Sequence, residues 1–155
     1  MSAPHPALTA QVAPLPAASG LEAELRLSLP SDIHMVERAV ELVAAHLETR
    51  FTSLRTIRFN VRVALAEALA NAILYGNAQD PAKCVTVRVA FGPDRVEAEV
   101  TDQGQGFDPE SVPDCTLPER IQSEDGRGLF LIRRLMDEVR FNEKGNSVWM
   151  SVRRA

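Results

Sequence analysis

Asp102-Gln103-Gly104-Gln105-Gly106 decides how this chain folds. The five residues follow a run in which Val96, Ala98 and Val100 alternate with Glu97 and Glu99, the period-two pattern of a half-buried strand. A strand that ends in an acid followed by Gly-x-Gly presents a carboxylate at its tip, beside backbone that carries no Cβ. Downstream it is answered by Gly126-Arg127-Gly128-Leu129, where Gly128 opens an apolar run through Leu131, Ile132, Leu135 and Met136. These glycines fall at the mouth of an expected helix, where free N–H groups and the helix dipole favour an anion such as phosphate. A dinucleotide-binding turn is excluded by order, because Gly106 leads to Pro109 and not into a helix. A P-loop is excluded too, since no glycine-rich run ends in Gly-Lys-Ser or Gly-Lys-Thr.

Upstream of Asp102, Val85, Val87, Val89 and Phe91 alternate with Thr86, Arg88 and Ala90, and Gly92-Pro93-Asp94 turns the chain. This strict alternation predicts an antiparallel hairpin with one face in the core. Before it, a helix is expected from Thr52-Ser53 to about Gly76, with Ile57, Val61, Leu65, Ala68 and Ala72 as its apolar stripe. Gly76-Asn77 ends it with residues that tolerate a left-handed backbone. An earlier helix carries Ile33, Val36, Val40, Val43 and Leu47, with Ser31 as its N-cap. Leu25, Leu27 and Leu29 make a strand ahead of that helix.

After the hairpin, Phe107 to Asp125 holds Pro109, Pro113 and Pro118 without periodicity, and loops of this length in compact domains are often lids. Val139–Phe141 and Val148–Val152 close the chain as a hairpin around Lys144-Gly145-Asn146. The predicted architecture is an α/β two-layer sandwich (α+β): three helices on one face of a mixed, mostly antiparallel sheet. Residues 1–20, rich in Ala and Pro, are expected to be a mobile tail, and residues 21–155 a single domain.

Composition narrows the function classes. At 155 residues the chain suits one domain, and 45% apolar with 25% charged residues is ordinary for a globular fold. A formal charge of -4 argues against nucleic-acid binding, and the cluster Arg133, Arg134, Arg153 and Arg154 reads as solvated surface. Cys84 and Cys115 follow no metal spacing, and His5, His34 and His46 do not complete one. His34 and His46 are read as surface or half-packed, because neither is followed by an acid as a phosphoacceptor would be. With no membrane span and no secretory signal in the sequence, the expected location is the cytoplasm.

The helix ending at Gly76 carries Glu67 and Asn71, one turn apart on the margin of the apolar arc. A carboxylate there can orient or deprotonate an attacking hydroxyl, and an amide oxygen can join the shell of Mg²⁺. Asp102 at a strand end can accept from an exocyclic amino group, which would select adenine over guanine. Helix Glu-x-x-x-Asn, strand-end Asp-x-Gly-x-Gly and then Gly-x-Gly-Leu resemble, in order and spacing, the three boxes of the GHKL (Bergerat) ATPase family. Gly126-Arg127-Gly128-Leu129-Phe130-Leu131-Ile132, with Leu135-Met136-Asp137-Glu138-Val139, is similar to the bacterial anti-sigma-factor serine kinases of that family.

The resemblance implies ATP and Mg²⁺ as cofactors. It makes Glu67 the general base, Asn71 the Mg²⁺ ligand and Asp102 the adenine contact. Gly104 and Gly106 become the first glycine turn, Gly126, Arg127, Gly128 and Leu129 the phosphate segment, and Ser147 a residue near adenine. Tyr75 departs from the family, many of whose members have His there, and Glu124-Asp125 stands where some kinases carry Arg. Arg127 or Arg120 is the candidate for that charge. The implied activity is phosphorylation of a STAS-type anti-anti-sigma protein on serine, coupled to sequestration of a sigma factor, in a protein that is usually a homodimer. The alternative is a non-catalytic nucleotide-binding module that holds a partner without phosphotransfer. A histidine-kinase fragment would need a dimerisation hairpin that the sequence lacks.

Overall fold

The computed structural model describes residues 8–48, 55–105 and 124–153. Strand β1 (Thr9–Pro14) is followed by β2 (Ala23–Pro30), helix α1 (Val36–Glu48) and helix α2 (Arg55–Asn71). Then come β3 (Cys84–Phe91), β4 (Arg95–Thr101), α3 (Glu124–Leu135), β5 (Glu138–Phe141) and β6 (Ser147–Arg153). The strands form one sheet in the order β1-β2-β3-β4-β6-β5.

Every neighbouring pair in that sheet is antiparallel, where the sequence left room for a mixed one. Two features of the path explain it. The α1–α2 excursion leaves from Pro30 and returns to Cys84, which are register partners, so β3 must run back along β2. The crossover through α3 would set β5 parallel to β4, but β6 inserts between them and pairs antiparallel with both.

One face of the sheet is apolar. Leu25, Leu27 and Leu29 of β2, Val85, Val87 and Val89 of β3, and Val96, Ala98 and Val100 of β4 are all buried there. Val43 and Leu47 of α1, Val61, Leu65 and Leu69 of α2 and Ile132 of α3 pack against them in a single core. This is the two-layer α+β arrangement that the alternating strands and the helical stripes predict. The opposite face is polar, and there the buried carboxylate of Glu24 is held by Arg26 at 2.6 Å and Arg88 at 3.6 Å. Half-buried His46 packs near the Phe91 ring, 5.9 Å between centroids. No helix among the described residues is long and apolar enough to cross a membrane.

Three local expectations change. Residues 9–14, expected within a mobile tail, form β1, an exposed edge strand paired with β2 from Thr9↔Ser28 to Pro14↔Ala23. Ladder hydrogen bonds order this strand, and its side chains contribute no burial, so a composition argument misses it. Asp32 caps the 3-10 turn Ile33–Met35 that leads into α1, and its carboxylate accepts from the His34 N–H at 2.9 Å. Ser31 is instead buried, donating to the Lys83 carbonyl at 2.7 Å. Finally, α3 begins at Glu124, so Gly126 and Gly128 lie within its first turns and not at its mouth.

Candidate functional site

Helix α2 is the spine of the site. Ala64, Ala68 and Ala72 are buried in the core, and Glu67 and Asn71 lie half-buried at the margin of that stripe. Their one-turn spacing stacks them on a common side, as the sequence predicts. Helix α3 closes on this edge. A Cβ built on Gly128 would stand 2.9 Å from Glu67 Oε2, 3.3 Å from Asn71 Nδ2 and 3.6 Å from Asn71 Oδ1. Glycine inside a helix costs roughly 1 kcal/mol relative to alanine, and this close approach is the reason for one here. The Asn60 amide, two turns before Glu67, donates to the Leu135 carbonyl at 3.0 Å and ties down the far end of α3.

After Asn71 the helix changes character. Ala72–Gly76 is a π-helical turn, in which the Asn77 N–H reaches back to the Ala72 carbonyl at 2.8 Å. Such turns are rare and often mark functional sites. The left-handed residues that follow are Ala78 (φ 50°) and Gln79 (φ 57°), not the Gly76-Asn77 pair expected from sequence. Each such residue costs on the order of 1–3 kcal/mol unless its surroundings hold it there. Gly76 serves a different purpose: a Cβ on it would overlap the carboxylate of Asp102. A Cβ on Gly104 would likewise overlap the Gly76 carbonyl.

Asp102 therefore sits over the end of the π turn. Its Oδ1 accepts from the Gly104 N–H at 2.8 Å, and no described residue donates to Oδ2. Burial pushes its carboxyl above the ordinary range, while the Gly104 N–H and the charges of Lys144 and Lys83 pull it back down. Its main chain is held from the β5–β6 turn on both sides. The Asp102 N–H donates to the Asn146 carbonyl at 2.9 Å, and the Asn146 side chain donates to the Asp102 carbonyl at 2.8 Å.

The structure thus gathers Glu67, Asn71 and Gly128 at one group, and Asp102, Gly104 and Gly76 at another, both along the run from α2 to its π turn. Backbone of Gly126 and Arg127 lies in the first turn of α3, and the Leu129 side chain is buried in the interior. Gly106 lies outside the described residues, as do Arg120, Cys115 and the expected lid up to residue 123. Ser147 is register partner to Thr101, and the two hydroxyls are 2.8 Å apart. Thr101 alternates with core-facing Val100, so this pair belongs to the polar sheet face. Sequence reading missed Gly76, Asn77 and Asn146, whose only signal was turn chemistry.

Oxygen donors at Glu67 and Asn71 suit a hard cation such as Mg²⁺. The described residues hold no cluster of three or more His, Cys, Asp or Glu, so a cation here would draw most of its ligands from phosphate and water.

The family model described as a histidine kinase-like ATPase domain matches residues 29–152. The chain is 33% identical over 102 residues to the serine-protein kinase RsbW of Oceanobacillus iheyensis, covering 59% of this chain and 63% of that protein. It is 34% identical over 101 residues to the serine-protein kinase RsbW of Bacillus subtilis, covering 59% and 62%. With the protein of the same name from Bacillus licheniformis the identity is 38% over 90 residues, covering 52% and 54%. The matched regions span less than two thirds of each of these relatives.

Proposed function

This chain belongs to the histidine kinase-like ATPase domain family, and on that footing we propose that it is an ATP- and Mg²⁺-dependent protein-serine kinase. Its acceptor is a STAS-type anti-anti-sigma protein, and it sequesters a sigma factor by partner switching. The observation that carries the reading is the approach of Gly128 to Glu67 and Asn71, which leaves a carboxylate and an amide facing a helix turn without Cβ. Similarity to relatives named serine-protein kinase supports the choice of acceptor chemistry.

In this reading each residue has one task. Asp102 Oδ2 accepts from the exocyclic amino group of adenine, and Gly76 and Gly104 leave the room that this carboxylate and its turn occupy. The backbone of Gly126, Arg127 and Gly128 neutralises phosphate charge. Asn71 offers its amide oxygen to Mg²⁺, which when bound offsets the charge on the β- and γ-phosphates. Glu67 takes the proton from the acceptor serine as its Oγ bonds to the γ-phosphorus. The bond from that phosphorus to the β,γ-bridging oxygen breaks, and ADP leaves.

Incubation with γ-labelled ATP and STAS-domain proteins tests this. Acid-stable label on a STAS serine is the expected result. ATP binding without transfer would favour the non-catalytic module, and no binding of adenine nucleotides would end both readings.

A further inference from the structure

Asn77 is fully buried, at 0% exposure, although Tyr75 shortly before it and the two left-handed residues after it are exposed. A buried primary amide is costly unless its donors and its acceptor are matched. Here they are. Its Nδ2 donates to Ser31 Oγ at 2.8 Å and to the Cys84 carbonyl at 3.0 Å. Its Oδ1 accepts from the Gln103 N–H at 2.7 Å. Gln103 completes a circuit, because its side-chain oxygen accepts from the Cys84 N–H at 2.8 Å.

Three parts of the fold meet on that amide: the end of β2, the start of β3 and the turn that follows β4. The turn in question is the one that presents Asp102. The neighbour of Asn77 on one side, Gly76, lies under the Asp102 carboxylate, and the partner of its oxygen, Gln103, is next to Asp102 in the chain. The π turn and the left-handed pair are costs that a plain helix end would avoid. What they achieve is to bring the Gly76 carbonyl and the Asn77 side chain against the 102–104 turn together.

We infer that Asn77 is a positioning residue for purine selection, acting through the Gln103 N–H and Gly76 to hold the Asp102 carboxylate where it can accept from the 6-amino group of an adenine nucleotide. The inference rests on the ATP-site reading above and adds to it the residue that sets base specificity without touching the base. Guanine presents an oxygen where adenine has its amino group, so a fixed carboxylate repels it. A carboxylate free to turn away would no longer discriminate. Displacement of a recognition group by about 1 Å is enough to cost on the order of 100-fold in a well-fitted site.

The test is calorimetric titration of the full chain with ATP and with GTP, both with Mg²⁺, comparing wild type, Asn77→Ala, Ser31→Ala and Val43→Ala. Val43 lies in the core on α1, and its truncation controls for lost stability alone. Asn77→Ala is expected to lower the ratio of ATP to GTP affinity by about tenfold or more. Ser31→Ala removes one partner of the amide and is expected to lower the ratio in the same direction by about threefold. Val43→Ala is expected to lower the melting temperature and keep the wild-type ratio. A wild-type ratio in folded Asn77→Ala overturns the inference while leaving the ATP site standing. If Asn77→Ala does not fold, an unchanged ratio in Ser31→Ala overturns it instead. Wild type that binds neither nucleotide overturns the site reading and this inference with it.

Discussion

Gly128 of α3 approaches Glu67 of α2 so closely that a Cβ would stand 2.9 Å from the carboxylate Oε2. The obstacle is the tip of a flexible side chain, which can swing aside. Gly128→Ala therefore gains helix propensity of up to about 1 kcal/mol and displaces Glu67. Stability should be unchanged or raised, while phosphotransfer falls at least about tenfold. A thermal melt alongside a phosphotransfer assay checks both. Full activity in the alanine variant would show that the position of Glu67 does not matter.

Glu67 itself lies at the margin of the buried stripe of α2, beside Ala68, and is not part of the core. Glu67→Ala should cost roughly 100- to 10,000-fold in phosphotransfer, the usual range for a general base. The ATP dissociation constant should move little, because the carboxylate acts on the acceptor hydroxyl. Parallel loss of binding and transfer would move Glu67 out of the base role.

Local patterns carried most of this into the sequence. The Glu67–Asn71 spacing is one helical turn, and Asp102 ends a strand by simple alternation, so both were legible without tertiary information. Asn77 was not. Its partners Ser31, Gln103 and Cys84 lie 46, 26 and 7 residues away, and no period links such distances. Ser31 and Asp32 are equally able to cap a helix, and the carbonyl of Lys83, 52 residues from Ser31, takes the serine hydroxyl. Strand β1 was hidden for another reason: its order comes from backbone pairing along β2, which composition does not record.

Asn60 links the two helices that meet at the site. Its amide donates to the Leu135 carbonyl, at the end of α3. Asn60→Ala removes that bond and leaves a partly buried carbonyl, so stability should fall by about 0.5–1.5 kcal/mol. Urea denaturation measures the change. An unaltered midpoint would mean that water replaces the amide at no cost.

Asp102 links function to pH. Burial holds its carboxyl above the ordinary value of 3.8, against the smaller opposing pull of the Gly104 N–H, Lys144 and Lys83. For a group whose folded pKa is raised, its contribution to stability is full below the unfolded value and is lost as pH rises through the folded value. At pH 7 wild type therefore holds a carboxylate that the fold disfavours. Asp102→Asn keeps an oxygen for the Gly104 N–H and has no charge to desolvate. The variant should be more stable than wild type at pH 7, with the gap narrowing as pH falls toward 4 and Asp102 takes up its proton. Its ATP affinity should be weaker at pH 7, because the amide can present a donor to the adenine amino group where an acceptor is needed. Urea midpoints from pH 7 to pH 4, with calorimetry at pH 7, test the pair of outcomes. A variant less stable than wild type at pH 7 would show that the carboxylate is stabilised in the fold, and unchanged ATP affinity would remove Asp102 from the purine contact.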